Sequence, residues 1–467
     1  MEKAYDAIFV GGSLTALAAA ASLARKRKSV LVLNAAELES ALPAASPFHF
    51  SQGPLLFSGF EERGAAEGFF SELGLPIPAL KKRGLLFKKE APVLQLVLPH
   101  HRVDLYSQQE EYTDELKREF GDQLQQIKSF FQEVEKQEAI FYPYLGQFPQ
   151  TEIQGLADRF HLWRERLRFL LAVKSAQSKS ALSFTAPFGF SSDFVQYLNL
   201  QLLFAYKKDL SASSSFELIR LIASLQKGVR MINGYSTLLQ FLLKQIKEDG
   251  GEILESKKVA KVEMKGKKIS RVILDDGTPF SCGSLVITEA DPSSFLHFYF
   301  RLRREWIPSP MKESLLMTWG ASVPSEVENI LILRLSLPEE EAPFPPDARG
   351  LGVTLLLRPG VAVTDSGIAS LKARTLERLH WLMPFSKSEI HDVEKDLQAP
   401  PSNPFLPTLV KSWKEDGKET RKGSLKFFRP REARNVFVIQ SDLSKQLLWG
   451  SDFLAAGALA RLLEEEP

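Results

Sequence analysis

The chain has 467 residues, 44% hydrophobic and 25% charged, values of an ordinary packed protein that exclude a disordered, collagen-like or disulfide-scaffold chain. Lys and Arg total 59 and Asp and Glu total 57, so the net charge of +2 supplies no general field for nucleic acid or anionic lipid. The single cysteine, Cys282, allows neither an intramolecular disulfide nor a cysteine metal cluster, and it fits a reducing, cytoplasmic location.

In chain order, the first residues lack the basic and apolar regions of a secretory leader. No run approaches the ~18 apolar residues of a membrane span. Ala7-Ile8-Phe9-Val10 is an apolar strand-like run, closed by Gly11-Gly12. Leu14, Leu17, Ala18, Ala21, Leu23 and Ala24 then recur at helical spacing, and Arg25-Lys26-Arg27-Lys28 suits the negative end of that helix. Ser29 to Leu33 reads as a second, buried parallel strand.

This βαβ opening is the unit that dinucleotide binding requires. A helix N-terminus offers unpaired amides and partial positive charge to a diphosphate, and glycines let the backbone approach it. In the pattern G-x-G-x-x-G/A the key positions are Gly11, Ser13 and Ala16, so the first and third fit and the middle one carries a hydroxymethyl. The acidic ribose position falls on an amide, Asn34. Crowding at the middle position costs about 1–3 kcal/mol. Loss of a charge-assisted bond costs about 1 kcal/mol. Together they are worth on the order of 10²- to 10³-fold in affinity.

Further blocks extend the pattern. Phe48 to Pro54 precedes Phe69-Phe70-Ser71-Glu72-Leu73-Gly74-Leu75; Val229 to Leu238, Ile246 to Ile253, Val259 to Val262, Ile269 to Gly277 and Ser284 to Pro292 follow in order. Lys265-Gly266-Lys267 and Asp276-Gly277 are hairpin turn signals. Asn435 to Asp442, then Leu454 to Ala460, form a last strand and an alanine-rich helix.

In order and spacing these blocks resemble the phytoene desaturase and flavin amine oxidase superfamily. The resemblance implies an α/β fold: a Rossmann-like FAD-binding domain with a parallel sheet, interleaved with an α+β substrate domain. Residues 1–80, 226–295 and 426–467 would form the FAD domain, and 81–225 and 296–425 the substrate domain. It also implies roles. Gly11, Gly12, Ser13, Leu14, Thr15 and Ala16 would line the FAD diphosphate, Asn34 would take the adenosine ribose, Val259 would meet the adenine through its backbone, and Asp442 would approach the ribityl and phosphate portion. This chain departs from the superfamily at Ser13, at Asn34, at Gln440 in place of a glycine, and at Glu39 to Pro43 in place of an arginine- and glycine-rich stretch.

Within the first insertion, Glu110 to Gln137 carries Leu116, Phe120, Leu124, Ile127, Phe130, Phe131 and Val134 on one helical stripe; Phe160 to Val173 and Phe194 to Tyr206 are further helices. In the second, Asn329 to Leu335 and Gly352 to Leu357 read as strands, Leu371 to Leu382 as an amphipathic helix, and Pro338 to Pro346 and Gln398 to Pro407 as loops. Many of the 33 phenylalanines lie in the first insertion, where core packing is the plainer reading and an apolar substrate cavity the sharper one. Lys81-Lys82-Arg83 and Arg301-Leu302-Arg303-Arg304 are basic clusters that read as solvated faces or as peripheral contacts with lipid headgroups. No zinc-binding H-E-x-x-H, nucleophile elbow or phosphate loop occurs. Two functions follow: an FAD-dependent oxidoreductase acting on an apolar small molecule, or a flavin-free binding scaffold on the same fold, a role the Rab GDP dissociation inhibitors illustrate.

Overall fold

The computed structural model describes residues 3–33, 57–61, 64–88, 92, 94–145, 176, 178–206, 208–231, 234–255, 257–289, 295–318, 330–336, 344–356, 364–386, 390–392, 427–428, 430, 432–440 and 451–465. Strand β1 (Lys3–Val10), helix α1 (Leu14–Arg25) and strand β2 (Val30–Leu33) open the chain. Helices α2 (Ala65–Glu72) and α3 (Ile77–Lys82) and the hairpin β3 (Leu94–Val97) and β4 (Arg102–Leu105) follow. Then come helices α4 (Gln109–Phe120), α5 (Leu124–Leu145), α6 (Ser192–Tyr206), α7 (Ser215–Lys227) and α8 (Gly234–Glu248). Strands β5 (Glu252–Leu254), β6 (Val259–Lys265), β7 (Lys268–Leu274), β8 (Pro279–Glu289), β9 (Phe295–Arg303), β10 (Ser314–Thr318), β11 (Ile330–Leu335) and β12 (Ala348–Leu356) precede helix α9 (Asp365–Leu382). Strand β13 (Val436–Gln440) and helix α10 (Ser451–Glu465) end the described chain.

Five strands form a parallel sheet in the order β5-β2-β1-β8-β13. Strand alternation sends Ala7, Phe9, Val30, Val32, Val286, Phe437 and Ile439 to one face, where they pack with residues of α1, α8 and α10. Ile8, Val10, Leu31, Leu33, Leu285, Ile287, Val436 and Val438 reach the other face and pack with the β6–β7 hairpin. A parallel sheet covered on both sides needs such continuous apolar runs. Helix α1 can lie close because Ala18, Ala19, Ala20 and Ala21 present almost no side chain and are fully buried. The two hairpin turns expected from glycine form as expected, with Gly266 at φ +64° and Gly277 at φ +82°.

The second sheet runs β9-β12-β11-β10-β3-β4 and is antiparallel except where β10 meets β3. One face packs Phe298, Phe300, Leu333 and Val353 under Leu379 and Leu382 of α9. On the other face Leu94, Leu96, Leu316 and Ile330 join the helical cluster of α4 to α7. The expected 110–137 helix is two helices, because the chain breaks at Phe120 (φ −133°, ψ 40°) before Gly121 and restarts at Leu124. Helix α9 begins at Asp365, ahead of its apolar stripe, since the Thr364 hydroxyl caps it by accepting from Gly367 N at 3.2 Å. The helix expected over 160–173 and the loop over 398–407 lie outside the described residues. Phenylalanine serves the core here: Phe130 and Phe194 are fully buried, and Phe131, Phe184, Phe188 and Phe190 pack against them.

Candidate cofactor site

Open parallel sheets bind ligands beyond the carboxyl ends of their strands. At that edge β1 passes into α1 through Gly11, Gly12 and Ser13. Gly11 holds φ +100°, a conformation that favours glycine. A Cβ added there would lie 2.9 Å from the Thr288 Cβ, so the turn rests directly on β8. Ser13 is the N-cap of α1, and its hydroxyl accepts from Ala16 N at 3.3 Å and lies 3.1 Å from the Thr288 hydroxyl. The first intrahelical bond runs from Leu17 N to Ser13 O, which leaves the Leu14 and Thr15 amides outside the helical ladder. Ala16, in the third glycine position, is 1% exposed, as close helix–sheet packing requires.

A second helix meets the same place. Helix α10 packs along α1. The Thr15 hydroxyl donates to Asp452 Oδ1 at 2.7 Å, while at the far end the Lys26 ammonium lies 2.5 Å from Glu464. The helices therefore run parallel and in register, and two positive dipole ends converge on one edge. The first turn of α1 holds no acidic residue, and that of α10 holds Asp452. Burial pushes the Asp452 carboxyl up to about 6, against the lowering by Thr15. Phe453 beside it is buried among Phe60, Phe69 and Phe70, with ring centroids 5.3–5.7 Å away.

Of the residues expected at this site, Gly11 to Ala16 form the turn and first helical residues described above. Val259 opens β6 on the opposite face of the sheet, buried in the apolar cluster that holds Val10 and Leu33, the last residues of β1 and β2. Asn34 and Asp442 lie outside the described residues. Thr288 and Asp452 are added by the structure. A strand-end threonine and an aspartate opening an alanine-rich helix were legible separately, but nothing local links them to residues 11–16.

Strand β9 starts six residues after β8 ends, so its first residues lie within about 20 Å of the carboxyl edge of the parallel sheet. His297 and Tyr299 alternate with Phe298 and Phe300, and so point away from α9. His297 Nδ1 lies 2.9 Å from the Thr354 hydroxyl across the β9–β12 pair, and burial pulls its imidazole down to about 4. A groove of about 430 Å³ lies elsewhere, lined by Lys179, Lys208, Ser213 and Glu217 among others. Lys208 is already held by Glu217 at 2.8 Å, and Glu217 closes the capping box of α7. Among the described residues no helix is long and apolar enough to cross a membrane.

No protein-family model matches the sequence, and no curated protein matches it. Solved structures do match in fold. A Pyrococcus furiosus protein is 14% identical, with TM-score 0.53 over 98% of this chain and 96% of its own. An oxidoreductase from Methanosarcina mazei is 11% identical, with TM-score 0.53 over 98% and 99%. A triple mutant of putrescine oxidase, from a redesign of its cofactor binding, is 11% identical, with TM-score 0.53 over 99% and 98%. The chain is thus an α/β protein with a Rossmann-type parallel sheet, folded along almost its whole length like these proteins.

Proposed function

We propose that the protein is an FAD-dependent oxidoreductase that removes hydride from an apolar small molecule: a polyene, lipid or amine. The carrying observation is the turn at the carboxyl edge of the parallel sheet. There Gly11 takes a left-handed conformation against Thr288 and the starts of α1 and α10 meet. The residues fit a diphosphate. Leu14 and Thr15 offer amides, Ala16 keeps the helix close to the sheet, and the paired helix ends supply positive potential. Ser13 narrows the fit, because its hydroxyl already uses the Ala16 amide. When bound, FAD would supply the two-electron acceptor, and the protein orientation and a dry pocket.

On the substrate side, the face of the second sheet that carries His297, Tyr299 and Thr354 supports a role in holding a polar end of an otherwise apolar substrate. A neutral imidazole fixed by Thr354 can donate or accept one hydrogen bond without bringing charge into an apolar pocket. Phytoene desaturase-like specificity is the finer form of this reading. So is peripheral membrane contact, for which Lys81 and Lys82, exposed at the end of α3, are suited.

One observation favours the flavin-free scaffold instead. The Ser13 hydroxyl and the Asp452 carboxyl already engage the Ala16 amide and the Thr15 hydroxyl in the first turn of α1. Purification decides between the two. The oxidoreductase is yellow, with absorbance near ~450 nm, or becomes so on adding FAD. A colourless protein that takes up no added FAD is the scaffold.

A further inference from the structure

We infer that Asp452 couples cofactor loading to the uptake of one proton. The inference rests on the FAD reading above and concerns the same edge of the sheet. Asp452 is the sole acidic side chain in the first turns of the two helices that converge there. It is tied to the first turn of α1 by the Thr15 hydroxyl at 2.7 Å. The wedge of Phe453 among Phe60, Phe69 and Phe70 keeps the start of α10 from swinging away.

A diphosphate on the Leu14 and Thr15 amides would bring negative charge to the same helix ends that this carboxyl occupies. Two anions a few ångströms apart in a partly desolvated place repel strongly, and the cheaper arrangement neutralises one. The diphosphate of FAD stays ionised, so the proton goes to Asp452. A neutral carboxyl still accepts from Thr15 through one oxygen and can donate to a phosphate oxygen through its O–H. Burial already raises this carboxyl's affinity for a proton, which makes the proton easy to take up.

Among the described residues, the charged groups of the helices around it have partners of their own. The first turn of α1 carries none. On α2, Glu67 accepts from the Ser71 hydroxyl at 2.9 Å, and Glu72 faces Arg461 of α10 at 3.7 Å. On α10 itself, Glu464 meets Lys26 at the opposite end of the helix.

The test is the FAD dissociation constant from flavin fluorescence at pH 5.5, 6.5, 7.5 and 8.5, with calorimetry in two buffers of different ionisation enthalpy to count protons. Coupling predicts binding that weakens about tenfold per pH unit above the carboxyl's midpoint, and one proton taken up per FAD at pH 8.5. Asp452→Asn, which keeps an acceptor for Thr15, should bind at all four pH values as tightly as the wild type does at pH 5.5. A flat wild-type profile with no proton uptake overturns the inference while leaving the FAD reading intact, and so does an Asp452→Asn protein that keeps the slope. Failure to bind FAD at every pH overturns both. If Asp452→Asn does not fold, the wild-type slope and proton count decide alone.

Discussion

The two sheets present their polar groups in opposite ways. The parallel sheet is covered on both faces, so its strands are largely apolar, and at its carboxyl end gather Thr288, Ser13, Thr15 and Asp452. The antiparallel sheet packs one face under α9 and part of the other against α4 to α7, and on that second face His297 and the buried Thr354 and Arg334 are spread along neighbouring strands instead of gathered at an edge. An edge flanked by helix ends suits a phosphate group, which wants backbone amides and positive potential. A face with spaced polar groups among apolar ones suits a substrate that needs few hydrogen bonds and a dry wall. Under the proposed function this difference would put cofactor and substrate at different sheets, and it can be broken by substitutions that strike one and spare the other.

The largest effects should come from the aromatic anchors. Phe453→Ala and Phe298→Ala each remove a fully buried ring and should each cost about 3–5 kcal/mol, read as a lower midpoint in urea. Only Phe453 holds the start of α10, so only its loss should also weaken FAD binding. Equal weakening by Phe298→Ala would show that the two sheets do not divide the work. Next in size is Gly11→Ala. Its methyl must meet Thr288 in a backbone conformation costly to alanine, so about 1–3 kcal/mol should be lost together with FAD retention.

The edge was largely legible from the sequence because its parts are consecutive. A strand run, two glycines and a helix with alanines on its packing face occupy residues 7–24, and each signal is local. The Thr15–Asp452 bond joins residues 437 positions apart, and no periodicity reports such a pair. The face of the second sheet was less legible. Phe295-Leu296-His297-Phe298-Tyr299-Phe300 is so rich in large apolar side chains that alternation hardly shows, and it becomes visible only once α9 is seen to cover Phe298 and Phe300. The early start of α9 was hidden for a different reason: its first turn is held by a cap rather than by an apolar stripe.

A smaller effect sharpens the account of the edge. Ser13→Gly would free the Ala16 amide and remove a hydroxymethyl from the phosphate approach. FAD should then bind about tenfold more tightly, equivalent to about 1.4 kcal/mol. The helix cap should lose only a few tenths of a kcal/mol. A Ser13→Gly protein that binds FAD no better would show that the cap hydroxyl is compatible with the diphosphate as it stands.

The smallest effect separates the two sheets by sign. His297 has its folded-state value pulled down to about 4 from an ordinary 6.5. Between those values the unfolded chain binds a proton that the folded protein refuses, so its contribution to stability is full above pH 6.5 and is lost as the pH falls toward 4. Asp452 is raised from an ordinary 3.8 to about 6, so in its window the folded protein holds the proton that the unfolded chain has released. Its contribution is full below pH 3.8 and is lost as the pH rises through 6. Across pH 4–6 His297 therefore weakens the protein on acidification while Asp452 strengthens it. Urea midpoints measured across that range should fall less steeply for His297→Asn than for the wild type, and more steeply for Asp452→Asn. Parallel curves for all three proteins would mean that neither group is as desolvated as its place in the fold requires. A shift in the same direction for both variants would mean that the edge and the face are not electrostatically distinct.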